Sequence, residues 1–220
     1  FDAGVVVGAG RPEHLPGYQA GAFFIQDAAQ ALVTRFAAFD PAAVVYDSCA
    51  APGGKTLAIA RQASTVIAAD RSRTRVARLR ENLGRSGHGN AFAVVADAAA
   101  PPLRTVAALL LDAPCLGTGT FARHPDARLR VTAAALQRLA SQQAALLDAA
   151  AGRIGPGGVL CYATCSLEPE ENEMQVDAFL QRHPQFCRRP ATSFPASWLT
   201  PAGDMQTLPQ RDAIDGAFAA

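Results

Sequence analysis

The chain has 220 residues, half of them hydrophobic, with 20 basic against 19 acidic side chains and a net charge of +1. That length suits one large domain, or one domain with a short extension, built on a substantial core. No apolar run approaches the ~20 residues that a membrane-crossing helix needs, and near-neutrality argues neither for nor against a nucleic-acid partner, because the distribution of charge matters more than its sum.

Residues 1–17 carry scattered glycine and two prolines and read as an irregular lead-in with a strand at residues 5–7. Apolar residues at helical spacing predict a helix over residues 22–39, ended by Pro41. A β-branched strand at Val44–Asp47 then runs through small residues and Pro52-Gly53-Gly54 into Lys55 and Thr56, where a short helix over residues 56–62 begins. Strands follow at Thr65–Asp70, Ala91–Val95 and Val106–Asp112, with an amphipathic basic helix over residues 73–85 after the first of them. The stretch 114–130 reads as loop and 132–153 as a long helix stopped by Gly155-Pro156-Gly157-Gly158. A strand at 159–163 and a helix at 169–182, whose Glu-rich start suits the positive end of its dipole, complete the regular part. The proline-rich remainder, 184–220, is expected to close with antiparallel edge strands.

Strands alternating with helices imply an α/β fold with a doubly wound, mostly parallel sheet, whose ligands bind at the carboxyl ends of the strands. Residues 1–40 read as a lead-in segment and helix, and 41–220 as the cofactor domain. The stretch 44–56 (VVYDSCAAPGGKT) has the layout of a nucleotide-type cofactor site: strand, glycine turn and helix start. Gly53 and Gly54 tolerate positive φ and let the backbone approach a ligand closely, and the first N–H groups of the next helix face it. A phosphate-binding P-loop needs glycine where Cys49 stands, and Pro52 removes a donor from the cradle. The G-x-G-x-x-G fingerprint is also absent. Lys55 is the only lysine among the 20 basic residues, which suggests a requirement for an ammonium in the turn.

Asp47, Asp70, Asp97 and Asp112 recur at the ends of successive strands. Aspartate after a strand often makes only an Asx-turn. In register, however, a carboxylate after the second strand suits ribose hydroxyls and one after the third an adenine amino group. With nothing built for a pyrophosphate, S-adenosylmethionine is the expected cofactor.

Five cysteines are an odd number without a regular framework, so a reduced, cytoplasmic compartment is expected, and no signal peptide is visible. Cys115 and Cys165 close adjacent strands. Strand ends lie roughly 5 Å apart, so both thiols can reach one substrate. Cys161 and Cys187 are expected to pack as small hydrophobes. No C-x-x-C pair or neighbouring His completes four zinc ligands, so no metal is expected. His14, His88, His124 and His183 are scattered and read as surface or structural residues. Six arginines between Arg71 and Arg85, with Arg123, Arg128 and Arg130, form two basic groups.

These residues resemble a known family. DSCAAPGGKT, DAPCLGTGT and YATCSLEPEENE are similar to motifs I, IV and VI of the RNA cytosine-5 methyltransferases of the NOL1/NOP2/Sun type, LPGYQAGAFFIQDAAQALV to their preceding helix, and LPQRDAIDGAFAA to their C-terminal signature. The resemblance covers nearly all of residues 12–220, and the RHPD run places it nearest the bacterial branch that modifies small-subunit ribosomal RNA, the methyltransferase B group. It implies a Rossmann-like fold and a monomer acting on ribosomal RNA. It also implies that Cys49, Ala50, Ala51, Pro52, Gly53, Gly54 and Lys55 wrap the methionine end of S-adenosylmethionine, that Asp70 holds the ribose and Asp97 the adenine, and that Asp112 sits between cofactor and base. Cys165 is then the nucleophile and Cys115 the residue of product release. Leu116, where Ser or Ala is more usual, and Ala217, within an aromatic pair, depart from the pattern. The chain begins without the helical RNA-binding domain that this branch tends to carry, so an excised fragment is expected. Two alternatives remain: a DNA cytosine-5 methyltransferase with Cys115 as nucleophile, and an inactive module that only grips RNA.

Overall fold

A computed structural model describes residues 10–220; the strand expected at residues 5–7 lies outside them. In chain order the regular elements are α1 (Ala28–Ala37), β1 (Val44–Asp47), α2 (Gly54–Ala60), β2 (Thr65–Asp70), α3 (Arg73–Ser86), β3 (Ala91–Val95), β4 (Val106–Asp112), α4 (Ala133–Ala151), β5 (Ile154–Thr164), α5 (Glu173–Arg182), β6 (Met205–Thr207), α6 (Pro209–Asp212) and β7 (Ala217–Ala219). They build a seven-stranded sheet of order β3-β2-β1-β4-β5-β7-β6. Strands β1 to β5 are parallel, and β7 runs antiparallel between β5 and β6. The order reverses between β1 and β4, and a doubly wound sheet binds its ligand at that switch point.

The strands read as unbroken apolar runs because both faces are covered. Leu32, Val33, Ile59 and Ala60 from α1 and α2 pack on Val45, Val66 and Leu110. Leu79 and Leu83 of α3 join Leu57 and Ala68 on the same side. On the opposite face Leu146, Leu147 and Phe179 of α4 and α5 cover Tyr46, Leu109 and Tyr162.

Several boundaries differ from the sequence-based expectation. The first helix starts at Ala28, not residue 22, because Asp27 caps it by accepting a hydrogen bond from Ala29 N at 2.8 Å. Gly155–Gly158 does not stop the preceding helix but lies inside β5, with a shift of register against β4 between Val106 and Ala108. Pro156 is tolerated there because β5 pairs with β7 only at Ala163 and Thr164, which leaves its early edge free. The last helix is split into a 3₁₀ turn, Pro169–Glu171, and α5, with Asn172 at φ −117°, ψ −108° between them. The 114–130 loop contains two 3₁₀ turns, Thr118–Thr120 and Pro125–Arg130.

Candidate active site

The turn after β1 is fixed by backbone bonds and by α3. Ser48 N donates to Leu110 O at 3.0 Å and Ala50 N to Ala69 O at 2.8 Å, tying the turn to β4 and β2. Arg75 Nη2 donates to Ala51 O at 2.5 Å, and Asn82 Nδ2 to Pro52 O at 2.9 Å. The Ala51–Pro52 peptide is cis. Of the two glycines only Gly53 has positive φ, at +110°, and a Cβ there would lie 2.7 Å from Leu79 Cδ1. Gly54 instead begins α2, where a Cβ would sit 3.6 Å from Gln26 Nε2.

Lys55, on the first turn of α2, reaches across the switch point. Its Nζ donates to Asp112 Oδ2 at 2.7 Å and also to Gln30 Oε1 from α1. Burial opposes the ammonium, but Asp112 outweighs it and holds the lysine above its ordinary pKa. Beside this pair Asp47 is fully buried, and its Oδ2 accepts from Thr56 Oγ1 at 2.7 Å. Burial first, with Asp112 and Asp70 adding, pushes its carboxyl up to about 7 against the opposing pull of Thr56 and Lys55. Asp47 Oδ1 and Gln26 Nε2, both buried beside the turn, have no hydrogen-bond partner among the described residues.

The two strand-end thiols do converge: Cys115 Sγ lies 3.4 Å from Cys165 Sγ. The pair divides unequally. The hydrogen bond from Cys115, with Lys55 adding, holds the Cys165 thiol below its ordinary pKa against burial and Asp112. Cys115 is held well above its own, by the hydrogen bond to Cys165, by burial, and by the charges of Cys165 and Glu171. A thiolate is the nucleophilic form of cysteine, and Cys165 is where this arrangement favours one. Cys161 is buried in the core, as expected, whereas Cys187 is exposed and does not pack as a small hydrophobe. It stands on the irregular strip after α5, where neither a strand nor a helix turns it inward.

The loops that carry the thiols are knitted to the chain's end. Gly119 N donates to Cys165 O at 3.0 Å, and Gly216 N to Gly119 O at 2.8 Å. A Cβ on Gly119 would meet Gly216 O at 2.6 Å, so the two backbones approach as only glycine allows. Arg123 bonds Asp215, and Asp27 Oδ1 accepts from Asp215 N at 3.3 Å. Thr164 Oγ1 donates to Asn172 Oδ1 at 2.5 Å, while Asn172 Nδ2 donates to Ser166 O at 3.0 Å. Arg123 of the RHPD run and the Asp215-Gly216 pair therefore tie the thiol loops to the chain's end.

Sequence reasoning missed Gln30, Gln143 and Glu171 as members of the site. Glu171 lies in the acidic run that suits a helix start and ends the YATCSLEPEENE stretch, and neither reading gives it a role. Gln143 is a fully buried amide in the middle of α4 that no local pattern distinguishes.

Asp70 ends β2 and Asp97 stands two residues after β3, on the same rim as Asp47 and Asp112. Asp70 is nearly buried, its Oδ1 accepting from Ser72 N at 2.9 Å and its Oδ2 lying 3.3 Å from Arg75 Nη2. Asp97 is exposed and accepts from Ala99 N at 2.9 Å, an Asx-turn. Of the α3 arginines, Arg75 is committed to the turn, and Arg85 stacks on the Tyr18 ring 4.0 Å away. His14 and His124 are exposed, and His183 pairs with Asp148 at 2.8 Å. Among the described residues no three His, Cys, Asp or Glu side chains group as a metal site, and no helix is long and apolar enough to cross a membrane.

Known proteins share this fold. The crystal structure of PH0851 superposes with a TM-score of 0.90 at 31% identity, covering 97% of this chain and 49% of that one. NSun6 from Pyrococcus horikoshii, solved with SFG, gives 0.80 at 29% identity over 94% of this chain and 54% of its own. Fold and neighbours define an α/β protein of the Rossmann-like, S-adenosylmethionine-dependent methyltransferase class. The ribosomal RNA small subunit methyltransferase B of Vibrio cholerae is 40% identical over 212 residues, 94% of this chain and 47% of that protein, and that of Yersinia pseudotuberculosis is 39% identical over 216 residues. A family model described as 16S rRNA methyltransferase RsmB/F matches residues 37–220. The chain belongs to the RsmB/F family of 16S rRNA methyltransferases. It spans about half the length of the curated relatives it matches, 47% and 48% in those two cases.

Proposed function

We propose that this chain transfers a methyl group from S-adenosylmethionine to carbon 5 of a cytosine in small-subunit ribosomal RNA, working as a cytoplasmic monomer, through a covalent bond between Cys165 and carbon 6. The observation that carries the proposal is the thiol pair at 3.4 Å, with Lys55 and Asp112 beside it at the switch point of the sheet.

The site suits the cofactor. The methionine end of S-adenosylmethionine bears an ammonium and a carboxylate. Asp47 Oδ1 and Gln26 Nε2, left without partners beside the turn, are an acceptor and a donor fitted to such a pair. In this reading Cys49, Ala50, Ala51, Pro52, Gly53 and Gly54 form the wall against that end, Asp70 accepts from the ribose and Asp97 from the adenine. When bound, the cofactor supplies an electrophilic methyl on sulfur.

The protein's own part is to make carbon 5 nucleophilic. The Cys165 thiolate adds to carbon 6, which turns the neighbouring double bond into an enamine-like donor at carbon 5. Asp112, held by Lys55, hydrogen-bonds the ring nitrogen and amino edge as charge moves onto the base. After transfer, carbon 5 must lose its proton so that the Cys165–carbon 6 bond breaks and the thiolate leaves. Cys115 serves this release through a water that its thiol orients, which is the candidate to take the proton. The base has to be unpaired or flipped out to be attacked. The DNA-type alternative would use Cys115 as nucleophile, and the thiol asymmetry disfavours it.

The test is methyl transfer from isotope-labelled S-adenosylmethionine to unmodified small-subunit ribosomal RNA, read by nucleoside mass spectrometry. Label in 5-methylcytidine is expected. Label in another nucleoside would overturn the cytosine assignment.

A further inference from the structure

Glu171 closes the 3₁₀ turn after β5 and is entirely buried. Both its carboxylate oxygens lie 3.1 Å from Leu116 N, the residue after Cys115. Its Oε1 also accepts from Gln143 Nε2 at 2.9 Å, and the same Nε2 lies 2.9 Å from Pro114 O, the residue before Cys115. The carboxylate thus grips the Cys115 loop on both sides, directly at Leu116 and through Gln143 at Pro114. Holding two N–H groups does not require a charge, because an amide oxygen would serve. Burying a carboxylate without a cation is costly, and among the described residues no cation bonds the Glu171 carboxylate; its partners are the neutral Leu116 and Gln143 donors.

The charged and titratable groups around the thiol pair are Lys55 from α2, Asp112 at the end of β4, Tyr162 on β5 and Glu171. Asp112 and Lys55 act on Cys165 in opposite senses, and Glu171 adds to the rise of Cys115 behind Cys165 itself and burial. We propose that Glu171 is the positioning residue that assigns the two cysteines their roles: its buried negative charge keeps Cys115 as the thiol and leaves the thiolate to Cys165, beside Lys55. Cys115 is raised first by its hydrogen bond to Cys165 and by burial, and Glu171 adds to that rise in the same direction. The proposal deepens the methyltransferase reading and takes its catalytic meaning from it. Its test needs neither RNA nor cofactor.

Alkylation of each cysteine by iodoacetamide is followed against pH and assigned by peptide mass spectrometry, in the wild-type chain, Glu171→Gln and Glu171→Asp. The Gln variant has a route to fold, because Gln143 Oε1 is buried without a partner and can turn to accept from the new amide. In the wild type, Cys165 is expected to react at lower pH than Cys115. In Glu171→Gln the preference for Cys165 narrows about tenfold, the equivalent of one pKa unit, and Cys115 labelling moves to lower pH. Glu171→Asp keeps the charge and retains most of the preference. An unchanged preference in Glu171→Gln, or an equal narrowing in both variants, would overturn the assignment by charge. A narrowed preference alongside a wild-type chain that methylates no cytosine would leave Glu171's role standing and remove the methyltransferase reading instead.

Discussion

Replacing Asp47 by Asn should make this protein more stable at alkaline pH while changing little at acid pH. Asp47 is fully buried at the end of β1, holds Thr56 Oγ1 through one oxygen, and leaves the other unpaired. Its carboxyl is pushed up to about 7 in the folded chain, from 3.8. The folded state then binds a proton that the unfolded state has already lost. Stability therefore falls as pH rises from about 4 through 7, and the full penalty is present above 7. One pKa unit corresponds to about 1.4 kcal/mol, so the Asp47 contribution worsens by roughly 2–3 kcal/mol between pH 5 and pH 8. Carboxylates such as Asp148 and Asp212, held low by Arg182, His183 and Arg211, act in the opposite direction at more acid pH. The measurement is thus the difference between Asp47→Asn and wild type in urea unfolding free energy at the two pH values. The variant should gain on the wild type by that amount at pH 8 relative to pH 5. A difference independent of pH would refute the reasoning that a desolvated carboxyl titrates here.

Two further outcomes follow from the same geometry. Lys55→Met removes the cation beside Cys165 and the partner of Asp112. Iodoacetamide labelling of Cys165 should move to higher pH, and stability should drop by about 1–2 kcal/mol, less than for a fully buried pair because Asp112 is 31% exposed; an unmoved labelling profile contradicts the role given to Lys55. Gly119→Ala drives a Cβ to 2.6 Å from Gly216 O. The overpacking should cost about 1–3 kcal/mol, seen as a loss of roughly 2–4 °C in Tm per kcal/mol for a chain this size; an unchanged Tm would show that the two loops do not depend on that contact.

The parallel strands were legible because burial on both faces leaves little but apolar residues in them. Thr65–Asp70, Ala91–Val95 and Val106–Asp112 stand where the pattern placed them. Helix starts were less legible. Phe23 stands at helical spacing with Gln26, Asp27 and Gln30, but the Asp27 cap decides where the helix begins. Gly155–Gly158 carries the composition of a helix stop, yet a free strand edge absorbs it as a register shift. The glycine turn, Lys55 and the two cysteines could be found because each belongs to a contiguous motif. Glu171 and the glycines of the Gly119–Gly216 contact lie within such motifs too, and Gln143 within none, but what they touch could not be read there, because their partners lie 28 to 97 residues away in the chain and only the folded sheet brings them together.

The central claim is that Cys165 attacks the base and Cys115 serves its release. It is tested most directly by trapping the protein–RNA bond. The wild-type chain, Cys115→Ser and Cys165→Ser are mixed with S-adenosylmethionine and unmodified small-subunit ribosomal RNA, denatured, and resolved for a covalent adduct. The adduct should accumulate in Cys115→Ser and be absent in Cys165→Ser; an adduct that depends on Cys115 and survives in Cys165→Ser would contradict the account.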